Sequence, residues 1–142
     1  MEGMAPILHV ADARASSEWY AQLGFEVESE HAFGPDWPLY VRLRRGPAQL
    51  HLSEHRLDGG PASHVYLYVE DVDSSLPPGA AAEDCPWGMR EARLSDPDGN
   101  VVHIGSPLPQ LRIRSGAGRS VSMKKKPGRP RLRPACQARV SL

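Results

Sequence analysis

Imidazoles and flat aromatic rings are the side chains of this 142-residue chain with the most chemistry to offer. His51 lies in a run where Gln49, His51 and Ser53 alternate with the core-like Ala48, Leu50 and Leu52. His64, Tyr66 and Tyr68 alternate in the same way with Val65, Leu67 and Val69. A period of two puts each set on one face of a β-strand, opposite the apolar set. Phe33, Trp37 and Trp87 add three more flat rings, and Trp37 sits in the loop-like stretch Gly34-Pro35-Asp36-Trp37-Pro38, an unpromising place for a core residue. Such rings stack on planar heteroaromatic groups, at roughly 0.5–1.5 kcal/mol per pair beyond area burial. No P-loop, GxGxxG, CxxC or Ser/His/Asp elbow indicates another chemistry.

The elements that must position these residues come in two similar halves. Pro6–Val10 is short and apolar, as a strand would be. Asp12 can cap a helix from Ala13 to about Leu23, with Ala15, Trp19 and Leu23 as its apolar stripe, widened by Tyr20, and Gly24 as the C-cap. Strands follow at Phe25–Glu30, Leu39–Arg44 and Ala48–Ser53. The second half starts with the strand His64–Val69 and a short helix Val72–Leu76 behind Asp71, ended by Pro77-Pro78-Gly79. Arg90–Leu94 and Asn100–Ile104 are its further strands, joined by the turn sequence Ser95-Asp96-Pro97-Asp98-Gly99. Val10-Ala11-Asp12 answers Val69-Glu70-Asp71, and Arg42-Leu43 answers Arg93-Leu94, so the chain reads as an internal repeat of about fifty residues.

A formal net charge of zero hides a division. Residues 1–106 hold 7 Lys+Arg and all 17 Asp+Glu, so their charge is 7 − 17 = −10, while residues 107–142 hold the other 10 basic residues and no acid. The reading is an acidic domain, 1–106, followed by a basic tail, 107–142, too poor in apolar surface to offset its ordering entropy and so disordered. With no eighteen-residue apolar run and no basic-then-apolar leader, a cytoplasmic protein with no membrane contact is expected. Cys85 and Cys136 form no CxxC pair and read as free thiols. Lys124 to Arg131, with its Gly-Arg-Pro core, resembles an AT-hook; a solvated extension is the plainer reading, and tail contact with DNA the weaker one.

The motifs S-S-E-W-Y-A-Q-L-G-F-E-V, L-H-L-S-E-H, S-H-V-Y-L-Y-V-E-D-V-D, P-W-G-M-R-E and D-P-D-G-N together resemble the bleomycin-resistance family of the glyoxalase/bleomycin resistance/dioxygenase (vicinal oxygen chelate) superfamily. The resemblance runs from about Ala5 to Gly105. It implies an α+β fold of two βαβββ modules whose sheets curl around a cleft, and a homodimer. The second module is shortened, because only 12 residues, Ser74–Cys85, lie between Asp73 and Pro86, where the family carries a full helix and a strand.

Function follows the site rather than the fold. The resemblance implies stoichiometric binding and sequestration of a bleomycin-type glycopeptide antibiotic, without an enzyme's chemistry and without a cofactor. The acidic domain would attract the cationic drug, and Phe33, Trp37, His51, His64, Tyr66, Tyr68 and Trp87 are the candidate ligand-binding residues. The alternative from the enzyme branch is a metal-dependent lyase or dioxygenase. The family's ligand positions fall on Ala5, His51, His64 and His103. Alanine cannot ligate, so that reading rests on His51, His64 and His103 holding Zn or Fe. The glutathione and phosphonate branches need basic groups, of which this domain has only seven arginines; Arg90 and Arg93 are either anion contacts or solvated strand residues.

Overall fold

The structure, a computed structural model, describes residues 2–109; the expectations for the disordered tail, the AT-hook-like segment and Cys136 lie outside them. Strand β1 (Ile7–His9), helix α1 (Ala13–Ala21), β2 (Glu26–His31), β3 (Tyr40–Arg45) and β4 (Ala48–Ser53) form the first module. Strand β5 (His64–Tyr68), α2 (Val72–Ser75), β6 (Glu83–Asp84), β7 (Met89–Ser95) and β8 (Val101–Pro107) form the second. Each module folds one four-stranded mixed sheet, β1-β4-β3-β2 and β5-β8-β7-β6, in which the first strand pairs in parallel with the last. The α+β class and the pair of βαβββ modules are as the resemblance implies.

The repeat holds to single residues. Arg42 pairs with His51 across β3 and β4, and Arg93 pairs with His103 across β7 and β8. Asp12 and Asp71 cap α1 and α2 with nearly the same backbone angles, each carboxylate accepting from two amides of the first turn. A carboxylate there satisfies amides that have no partner inside the helix. The second module is indeed short: α2 has four residues where α1 has nine, and β6 has two. Arg90 ties the remnant together, with Nε and Nη2 donating to both oxygens of Asp73 on α2 and Nη1 donating to Asp84 on β6. Those contacts hold the Asp73 carboxyl below its usual pKa, the Arg90 hydrogen bond being the main cause. Arg90 is therefore a structural clamp, which corrects both readings offered for it.

One apolar core runs through both modules, from Leu8, Tyr20, Leu43 and Leu52 to Leu67, Val72, Val102 and Ile104. Helix α1 faces it with Ala13, Ser16, Ser17 and Tyr20; of the expected stripe, Leu23 is buried in the core, Trp19 packs half-buried against it, and Ala15 is exposed. Two serines are acceptable there because both hydroxyls are bonded, Ser17 to the Ala13 carbonyl at 2.6 Å and Ser16 to Asp98 at 3.3 Å. Cys85 is buried and disulfide-bonded, which corrects the free-thiol expectation. Sequence separation says nothing of distance in the fold, so the spacing of two cysteines could not show it.

The Asp96-Pro97-Asp98-Gly99-Asn100 turn joins the modules. Asp98 accepts from the Ala11 amide at 2.8 Å, and Asn100 Nδ2 donates to the His9 carbonyl at 3.1 Å. Asp96 accepts from the Tyr20 hydroxyl at 2.9 Å. Tyr20 is completely buried, and burial, then the charge of Asp96, pushes its phenol pKa far above the ordinary 10.0. The raised pKa sets the sign of a pH effect: the stabilisation is intact below 10.0 and is lost as pH climbs above it, because the unfolded chain releases the proton and the folded one keeps it. Stability should fall by up to about 1.4 kcal/mol per pH unit from this group alone. Urea titrations at rising alkaline pH test this, and Tyr20→Phe should flatten that part of the profile.

Candidate ligand-binding site

Alternation along β3 turns Val41 and Leu43 into the core and leaves Tyr40, Arg42 and Arg44 on the opposite face. That face, the end of β2 and the loop after β4 enclose a cleft of about 930 Å³, lined by residues including His31, Phe33, Tyr40, Arg42, Arg56 and Asp58. Its rim is apolar and open. Phe33 is 72% exposed and Trp37 58%, with ring centroids 6.4 Å apart, and His31 meets Phe33 edge-on at 4.5 Å. The loop geometry explains why Trp37 is there: its amide closes a tight turn onto the Gly34 carbonyl, and its ring lies so close to Gly34 that a Cβ would crowd it.

Tyr40, which lines the cleft, shares a 2.7 Å hydrogen bond between its hydroxyl and His51 Nδ1. Burial, then the neighbouring Arg42 cation, lowers the His51 pKa, so the imidazole is neutral at physiological pH. Burial, then the Asp58 charge, raises the Tyr40 pKa. Arg42 is aimed by its Nε, which donates to Ser29 Oγ at 2.7 Å. Arg42 and Arg56 balance Glu30 and Asp58, so the lining carries no net formal charge apart from its histidines. The domain's −10 lies elsewhere on its surface: the total was countable in the sequence, its distribution was not.

The remaining candidates stand together on the second sheet. His64 Nδ1 and His103 Nε2 are 3.0 Å apart with stacked rings. Tyr66 lies parallel to His103 at 6.3 Å and 4.4 Å from Tyr68, which is largely exposed. Tyr66 and Trp87 both donate to Oε1 of the buried Glu91, at 2.8 and 2.9 Å. Gly105 makes this possible, because a Cβ there would overlap the Tyr66 hydroxyl. Gly105→Ala should displace Tyr66 from Glu91 and cost about 1–3 kcal/mol, the usual range for overpacking, readable as a drop in the urea midpoint with altered Trp87 fluorescence.

The candidates thus divide. Phe33, Trp37 and His51 belong to the first module, and His64, Tyr66, Tyr68, Trp87 and His103 to the second. Tyr40, Arg42, Arg56 and Asp58 were absent from the sequence-based set. The alternation Tyr40-Val41-Arg42-Leu43-Arg44 was the signal that could have found the first two. The three histidines of the metal reading divide between the sheets as well. Among the described residues no group of three or more His, Cys, Asp or Glu is placed to hold a metal ion, and His51, bonded to Tyr40, does not join the His64–His103 pair. Among the described residues no helix is long and apolar enough to cross a membrane.

A family model described as a glyoxalase superfamily protein matches residues 1–106. A bleomycin resistance determinant encoded on transposon Tn5 is 23% identical, with 75% of this chain and 98% of that one covered and a TM-score of 0.58. A bleomycin-binding protein complexed with bleomycin is 24% identical, with 75% and 98% covered and a TM-score of 0.56. A glyoxalase-related enzyme from Clostridium phytofermentans is 16% identical, with 76% and 96% covered and a TM-score of 0.60. No curated protein matches the chain. At such identities these structures establish the fold, and they include both binding proteins and an enzyme. With its family model spanning both modules, the chain belongs to the glyoxalase superfamily.

Proposed function

We propose that this protein binds and sequesters a bleomycin-type glycopeptide antibiotic and leaves the drug chemically intact. The observation that carries the reading is the exposed Phe33–Trp37 pair on the rim of a cleft large enough for part of such a ligand. Apolar rings left in water on a loop turn are costly unless something covers them, and a flat bithiazole does so by stacking. Tyr40 and its neighbours support binding more than catalysis. A neutral His51 bonded to Tyr40 offers polar recognition, and the oriented Arg42 and the Asp58 carboxylate offer charged hydrogen bonds to the glycopeptide's polar groups. The cation is drawn in by the long-range field of the −10 domain, since the lining itself is balanced. No cofactor is needed for this. A homodimer, the assembly expected for the fold, would let the second-sheet ring group of one chain close over the cleft of the other.

Calorimetric titration of bleomycin into the full-length protein tests the reading. Saturable binding is expected, with the drug recovered at unchanged mass. Absence of heat at tens of micromolar drug, or a modified drug, overturns it.

A further inference from the structure

We propose that the cleft of the first module takes a second class of ligand, a flat aromatic carboxylate, with its ring on Phe33 and its carboxylate held by Arg42 and Arg56. The proposal rests on the aromatic rim used by the drug reading, but not on the drug. The arginines carry it. Residues 1–106 hold seven of them, in a domain with ten more acids than bases. Carboxylates occupy Arg14, Arg44 and Arg90. Arg45 is bonded to the Leu23 carbonyl and the Ser75 hydroxyl. Of the remaining three, Arg42 and Arg56 line the same cleft, and among the described residues neither has a carboxylate within ion-pair distance. The acids of the lining are already engaged: Glu30 pairs with Arg14 at 3.4 Å, and Asp58 accepts from the Ser53 hydroxyl at 2.7 Å. The formal balance of the cleft therefore conceals two guanidinium groups with capacity for an anion.

Both cations are positioned by the fold. Arg42 Nε donates to Ser29 Oγ at 2.7 Å, which leaves the two terminal nitrogens as a planar fork. Such a fork matches the two oxygens of a carboxylate, and hydrogen bonds between ionised partners are roughly twice as strong as neutral ones. Arg56 stands on the loop after β4, which is pinned on both sides of it. The His55 amide donates to Ser53 Oγ at 3.2 Å, and the Asp58 amide to the His55 carbonyl at 3.1 Å. Gly59, at φ +67°, seats the same loop against β1, where a Cβ would meet the Ile7 carbonyl oxygen at 2.8 Å. Leu57, 97% exposed, and Phe33 line the cleft with the two arginines and add apolar surface to their charge. A single exposed ion pair is weak, so affinity needs the ring and both cations together. The −10 of the domain repels an anion at long range, but that field is screened beyond about 8 Å at physiological salt and leaves the contacts inside the cleft to decide.

Calorimetry of the full-length protein with naphthoate and its neutral isostere naphthamide tests this. Naphthoate should bind tighter than the amide by about tenfold or more, the usual return of charge-assisted hydrogen bonds. Arg42→Gln and Arg56→Gln should each narrow that gap to about threefold, as one of the two cations is lost. Arg42→Lys should fall between wild type and Arg42→Gln, because an ammonium keeps the charge and lacks the fork. Phe33→Ala should weaken acid and amide alike. Absence of naphthoate binding, equal affinity for acid and amide, or a gap unchanged in both glutamine variants would each overturn the proposal. Bleomycin titrated in parallel separates the two readings. Drug binding without a preference for the acid overturns this proposal alone, and a preference for the acid without drug binding supports it while removing the drug.

Discussion

Replacing Asp96 with alanine should cost the fold about 3–5 kcal/mol, the range for breaking one side of a buried charged network. Asp96 is 5% exposed, and its two oxygens accept four hydrogen bonds, from the Tyr20 hydroxyl, Asn100 Nδ2 and the amides of Asp98 and Asn100. Alanine removes all four acceptors at once. The Asn100 side chain keeps its bond to the His9 carbonyl, and the turn amides can recruit water. The Tyr20 hydroxyl, completely buried among apolar side chains, has nothing to turn to, and an orphaned buried donor costs about 1–3 kcal/mol by itself. A whole domain's margin is about 5–15 kcal/mol, so the variant stands close to unfolding. Asp96→Asn keeps an acceptor in place and should fall between it and wild type. Urea denaturation reads the series, with m near 1–3 kcal/mol per molar converting the loss into a midpoint shift of about 2 M. A loss below about 1 kcal/mol in Asp96→Ala would mean that the turn does not join the modules.

That turn shows how far the sequence could be read. D-P-D-G-N is legible as a turn from local chemistry alone, because short polar side chains and a glycine suit tight backbone. Its partners are not legible, since Tyr20 and Ala11 lie in the other module and only the packed fold brings them near. The strands were readable because a half-buried strand writes period-two alternation into its residues. Arg42 and Arg93, aligned by the repeat, occupy equivalent places in the fold, each pairing across its sheet with a histidine, His51 or His103. The inward face of α1 was only partly readable by hydrophobicity: Tyr20 and Leu23 are buried as expected, but Ser16 and Ser17 are core-facing too, made tolerable by hydrogen bonds that no apolar pattern displays. Strand β6 escaped for a similar reason, being two acidic residues, Glu83 and Asp84, held by pairing with β7.

The site was legible to a lesser depth. Parity placed His51, His64, Tyr66 and Tyr68 away from the core, and their burial agrees. What parity cannot give is which face meets which, and the rings fall into two groups on two sheets instead of one cleft. Glu91 is the sharpest omission. A glutamate in a strand reads as solvated, yet it is buried and accepts from Tyr66 and Trp87. Only the small Gly105 opposite it hinted that a side chain lies across the sheet there.

Trp37→Ala should weaken bleomycin binding by roughly 10- to 100-fold, about 1.4–2.8 kcal/mol, within the range of an aromatic hot spot. Trp37 is more than half exposed and stands outside the core cluster, so the substitution should leave the urea midpoint nearly unchanged and separate binding from folding. Two terms make up the loss. Stacking on the drug's heteroaromatic rings accounts for about 0.5–1.5 kcal/mol, and the lost apolar contact supplies the rest at about 25 cal/mol per Å². Phe33 is its neighbour at 6.4 Å, and if one ligand ring lies across both, their contributions are coupled. The double variant Phe33→Ala/Trp37→Ala should then lose less than the sum of the single losses. Glu28→Ala, which removes only a part-exposed ion pair with Arg44, is the control and should change affinity by less than about threefold, as surface pairs contribute at most about 1 kcal/mol. Calorimetry on the four variants decides the matter: Trp37→Ala binding as tightly as Glu28→Ala would remove the aromatic rim from the site. Drug capture would then have to rest on the second-sheet rings around Tyr66 and Tyr68, where Tyr68→Ala should carry the larger loss.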